Sequence, residues 1–231
     1  MMLVIAGEFD AVQLGFGFTL SGVGGLLGIN RKFRKQSLQD VVRQGNLDSV
    51  LFPEDVVENA QRIISDVRAI FPPTRGSHVF GPMLKIGWGT PTIIAASVGV
   101  VLEIPSFRIA ILGNIEMALP SLEVERPEGM PEEVPFPPIQ VNLDVVGIID
   151  IPGKTLSLDA SLYDSRIMQW TMAGDMALRS SWGERSRFLL SIGGFNPRYE
   201  PPGGFPELDR VTVSLDVPVG QPVIDFTGYL A

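Results

Sequence analysis

The chain has 231 residues, 45% of them hydrophobic and only 19% charged, with a net charge of −8 at pH 7 and a mean hydropathy of +0.24. An acidic molecule repels a phosphate backbone, which excludes nucleic acid as a general partner, and the absence of cysteine excludes disulfides, thiolate metal sites and cysteine nucleophiles. Low charge leaves more apolar surface than one small domain needs, and its outlets are a partner interface, an apolar groove or a bilayer.

The opening segment, Met1 to Ala6, is a short apolar run with no basic flank, so it does not read as a secretory leader. The longest apolar stretch, Thr92 to Leu102, is too short for a membrane helix and alternates like a strand. The default compartment is therefore cytoplasmic. From Val12 the residues Val12, Leu14, Phe16, Phe18 and Leu20 are apolar at every second position, the signature of a strand with one face in a core. Gly22 to Gly28 is glycine-rich, but neither dinucleotide-loop nor P-loop spacing is present. A bulged strand passing close to another element is the better reading.

Arg31, Lys32, Arg34 and Lys35 form the one basic cluster, a candidate contact for an anion or an acidic partner. Two helices are expected as an insertion at 37–71. The first runs from Ser37 with Asp40 as a capping pair to Gly45; the second starts near Pro53 with Glu54 and Asp55 in its first turn. Val56, Ala60, Ile63, Val67 and Ile70 would share one face of the second helix, and Phe71-Pro72-Pro73 stops it.

Period-two alternation then returns at Phe80 to Trp88, Ile94 to Ile104 and Phe107 to Leu119, the last either one long strand or two joined at Gly113-Asn114. Residues 120–138 hold six prolines, five glutamates and one arginine, an exposed stiff connection that divides the chain into 1–119 and 139–231. Beyond it Ile139 to Ile149 alternate, Pro152-Gly153 makes a tight reversal, and Leu156 to Leu162 return. A turn near Tyr163 to Ser165 precedes Met168, Trp170, Met172 and Met176; strands at Phe188 to Ile192, Val211 to Val217 and Ile224 to Leu230 follow, with an irregular loop at 196–206.

The fold expected is mainly β: one unit over 1–231, an antiparallel meander of about ten strands forming a curved sheet, half-barrel or barrel. Phe16, Phe18, Trp88, Met168, Trp170, Met172 and Met176 are the candidate groove residues, because aromatic and methionine side chains make adaptable apolar surfaces. No catalytic constellation is visible. His78 is the single histidine, Ala95 to Gly99 misses the nucleophile-elbow pattern and lies inside a strand, and the carboxylates read as turn and solvent-face residues. Neither metal nor cofactor is expected.

The stretches Phe16 to Arg31, Phe80-Gly81-Pro82 with Gly87 to Pro91, and Ser191 to Phe195, continuing into Asn196-Pro197-Arg198-Tyr199-Glu200-Pro201-Pro202, resemble an uncharacterised family of very large bacterial proteins carrying a domain of unknown function. The resemblance implies a piece of a longer β-rich chain and names no activity. The function expected is a non-enzymatic β scaffold or assembly module with a protein partner or self-association. Its alternatives are a groove for a lipid-like ligand and an outer-membrane β-barrel.

Overall fold

The computed structural model describes residues 1–44, 47–53, 56–123, 125–127, 129–131, 134, 136–183, 186–192, 211–218 and 225–230, with backbone alone at 48–49, 187, 191–192, 211–218 and 225–230. Eleven strands run as an antiparallel meander in one sheet, each paired with its sequence neighbours: β1 (Met2–Gly15), β2 (Phe18–Arg31), β3 (Pro73–Gly89), β4 (Thr92–Ile104), β5 (Arg108–Leu119), β6 (Ile139–Asp150), β7 (Thr155–Ile167), β8 (Trp170–Ser181), β9 (Arg187–Ile192), β10 (Val211–Pro218) and β11 (Asp225–Leu230). The sheet is open and not closed into a barrel. Between β2 and β3 lie α1 (Lys35–Arg43), α2 (Asp48–Leu51) and α3 (Ala60–Ile70).

Several boundaries differ from the sequence reading. The alternation from Val12 to Leu20 is two strands: Phe16 and Gly17 both have positive φ (53° and 80°) and make a two-residue hairpin turn between β1 and β2. Continuous alternation through Phe16-Gly17 hides that reversal. β5 is one unbroken strand. Tyr163 to Ser165 is not a turn but a register irregularity within β7, and the reversal comes at Met168, whose φ is 54°. Ser37 does not cap; α1 starts two residues earlier, with Arg34 as its N-cap residue. The expected start of the second helix, Glu54-Asp55, and the loop at 196–206 lie outside the described residues. α3 begins at Ala60 and ends at Ile70, just before the proline pair, and Val56 is exposed.

Residues 120–138 join two neighbouring strands of the one sheet. β5 and β6, on either side of them, are paired along twelve residues from Arg108–Asp150 to Leu119–Ile139. The connection folds back along the strand ends, with Leu122 N–H donating to Thr92 O at 2.8 Å.

The core lies between the helices and one face of the sheet. Phe33, Leu38, Val42, Leu47, Val50, Leu51, Phe52, Ile70 and Phe71 meet Leu26, Val79, Met83, Val101, Ala110, Leu112, Val146 and Ile148 from the strands. Glycines admit this contact. A Cβ on Gly99 would lie 2.6 Å from Leu51 Cδ2, and one on Gly22 would lie 3.1 Å from Phe52 Cε1. The periodic residues of the sequence pattern are not in this core; they occupy the other face.

Candidate functional site

Pairing sorts the strands into rungs, since directly opposed residues share a face. One rung is Leu27, Phe80, Leu102, Ile109, Ile149 and Leu156; another is Leu84, Val98, Gly113, Val145, Ala160 and Met176; a third is Phe18, Trp88, Ile94, Met117 and Val141. They hold no Asp, Glu, Lys or Arg, and none of their large side chains is buried. Phe80 is 57% exposed, Leu84 46% and Trp88 42%. This bare face is continuous from β3 to β8. At ~4.8 Å per strand and ~3.3 Å per residue over about ten residues, it covers roughly 950 Å².

The helix face is different. Its rungs change from apolar at Val101, Ala110 and Ile148 to polar at Ser157 and Arg179, and the polar groups hold the helical segment. Glu103 accepts from Phe33 N–H at 2.9 Å, Asp144 from Leu47 N–H at 3.1 Å, and Asp159 from Gln39 Nε2 at 2.7 Å. Each of these carboxylates has a second partner on the sheet. Arg108 pairs with Glu103 at 2.7 Å and stacks over Phe33, Asn114 Nδ2 donates to Asp144 at 2.9 Å, and Arg179 pairs with Asp159. Asp144 is fully buried, and burial pushes its carboxyl up to about 6, against the Asn114 and Leu47 hydrogen bonds that favour the charged form.

Beyond the end of α1 the same face opens into a cavity of about 320 Å³, lined by Lys35, Thr155, Leu156, Ser157, Arg179, Ser180, Ser181 and Leu189. Ser157, Arg179 and Leu189 are consecutive on one rung, and Thr155 and Ser181 are opposed on a neighbouring one.

The sequence-chosen groove residues are not brought together. Phe18 and Trp88 pair on β2 and β3, whereas Trp170, Met172 and Met176 are on β8, five strand spacings or about 24 Å away. Phe16 and Met168 sit in turns, and Phe16 is 99% exposed. His78 lies on the bare face, paired with Ile104, with no acid or nucleophile opposite it. In the basic cluster, Arg31 Nη1 donates to Phe71 O at 2.7 Å, Arg34 N–H donates to Ile70 O, Lys32 is exposed, and only Lys35 reaches the cavity. Among the described residues no ion pair joins this cluster to the glutamates of 123–133.

The carboxylates Glu103, Asp144 and Asp159, with Ser157 and Arg179, were missed as structural groups because alternation assigned them to the solvent side. The available signal was the unbroken apolarity of Val98 to Leu102, Ile109 to Leu112 and Val145 to Ile149, a pattern of strands covered on both faces. No helix is long and apolar enough to cross a membrane among the described residues. No curated protein and no solved structure matches the chain. A family model described as a family of unknown function matches residues 1–231, so the chain belongs to that family, DUF6603.

Proposed function

We propose that this chain is a non-enzymatic β scaffold whose bare face is an assembly surface, covered by a further β layer from a protein partner or another copy. The observation that carries this reading is the charge-free run of rungs from β3 to β8 on strands that are apolar on both sides yet covered on one. At roughly 950 Å² the face exceeds the ~800 Å² per partner of an ordinary stable interface. A spanning barrel needs closure that these eleven strands do not make. The groove reading needs its aromatic and methionine residues to converge, and they are split between β2–β3 and β8, five strand spacings apart on the same face.

Leu84→Lys places one charge in the middle of the face without touching the helix-side core. Light scattering behind size exclusion should show the unmodified chain as an oligomer or a complex, and Leu84→Lys as a smaller species with unchanged far-UV circular dichroism. A monomer with no bound partner that is unaffected by the substitution would refute the assembly role.

A further inference from the structure

The cavity over β7, β8 and β9 carries a set of polar groups that the assembly surface does not use. Ser157 is 2% exposed, lines the cavity, and its Oγ has no hydrogen-bond partner. A buried hydroxyl left unpaired is unfavourable, so its presence asks for a partner that enters the cavity. Beside it on the same rung, Arg179 is held in place rather than free. Its Nη1 donates to Leu158 O and Leu178 O, and its Nη2 to Asp159. Three N–H groups are thereby engaged; among the described residues Nε–H and the second Nη2 proton have no hydrogen-bond partner.

On the opposite wall Lys35 opens α1, a helix whose N-cap residue makes no side-chain cap bond and whose first turn has no acidic residue. The positive end of that helix is therefore uncompensated at the cavity rim. Burial, and then the charge of Arg179, hold the Lys35 amine below its ordinary value, while Asp159 and Asp150 act the other way. Asp159 is already committed to Arg179 and Gln39. Leu189, on the same rung as Ser157 and Arg179, supplies an apolar wall.

We propose that this cavity binds an oxyanion, a carboxylate or phosphate group, with Ser157 Oγ–H and the two unengaged Arg179 N–H groups as donors and Lys35 as the charge across the mouth. A volume of about 320 Å³ is at the small end of the ~300–1,000 Å³ typical of ligand pockets, which limits the ligand to the anionic group and a short stem. The anion restores a partner to the orphan hydroxyl and sits between two cations that otherwise repel each other.

The test titrates the full chain, at constant ionic strength, with sodium hexanoate in one arm and inorganic phosphate in the other. Amide NMR shifts near Ser157 and Arg179 report binding. Saturation by hexanoate alone identifies an anion on an apolar stem, and saturation by phosphate alone identifies a free anion. In either case Ser157→Ala and Lys35→Met should each weaken binding by about tenfold, with the far-UV spectrum and the Gln39 contact to Asp159 unchanged. Ser157→Ala removes a group with no partner, so it folds. Absence of saturation in both arms overturns the proposal, as does equal binding by both variants or the same shifts produced by sodium chloride.

Discussion

Replacing Asp144 by Asn tests the energetics of the helix-to-sheet contact in the most direct way. The carboxyl is fully buried, and its value rises from 3.8 to about 6 chiefly through loss of hydration. At 1.36 kcal/mol per pH decade, ionising it in the folded state costs roughly 3 kcal/mol more than in the unfolded chain. Because the folded value is the higher one, the contribution of this group to stability is complete below about pH 4 and is lost as pH rises through about 6. Acidifying from pH 7.5 to 5 should recover about 1.5 kcal/mol of that loss. Other carboxylates titrate too, so the decisive quantity is the difference between the two proteins' urea-unfolding free energies measured across pH 4 to 8.

Asp144→Asn has no proton to lose; its one side-chain oxygen accepts from Leu47 N–H, while its amide nitrogen replaces the oxygen that accepts from Asn114 Nδ2, a loss that does not change with pH. Relative to the parent the variant should therefore gain about 2 kcal/mol between pH 4 and pH 8. A flat difference profile, or one that grows toward acid, would refute the reasoning.

Other expectations follow from the same contacts. Arg108→Ala strands Glu103, which is only 2% exposed, and should cost about 3–5 kcal/mol in chemical denaturation, with faster hydrogen exchange at Phe33 N–H. Gly99→Ala drives a Cβ to within 2.6 Å of Leu51 Cδ2 and should cost about 1–3 kcal/mol, and shortening residue 51 to Val in the same chain should return part of that loss.

The strands were legible because their apolar positions recur with period two, and pairing confirms that successive strands turn those residues toward a common layer. Ile94, Met117 and Val141 fall on one rung, as do Leu102, Ile109 and Ile149. What alternation could not convey is which layer the helices choose. Val101, Ala110, Leu112, Val146 and Ile148 between the periodic residues are apolar as well, and the glycines at 22 and 99 flatten that side enough for the helical segment to dock. A period-two pattern ranks faces by hydrophobicity, whereas docking also depends on how close a backbone can come. The first hairpin was missed because Phe16 occupies a left-handed position that usually announces itself by Asn or Gly. Of the site, Lys35 was reached through its charge. Ser157 and Arg179 were not, since a serine and an arginine at alternate positions of a strand read as solvated.

The three carboxylates that receive the helical segment come from β4, β6 and β7, although the segment itself precedes β3 in the chain. Its docking thus waits on strands formed from residues up to 120 positions downstream. A sheet lacking any one of those strands would leave the insert a loose flap and expose its greasy underside. Proteolysis within 35–70 consequently reports whether the meander beyond it has been completed.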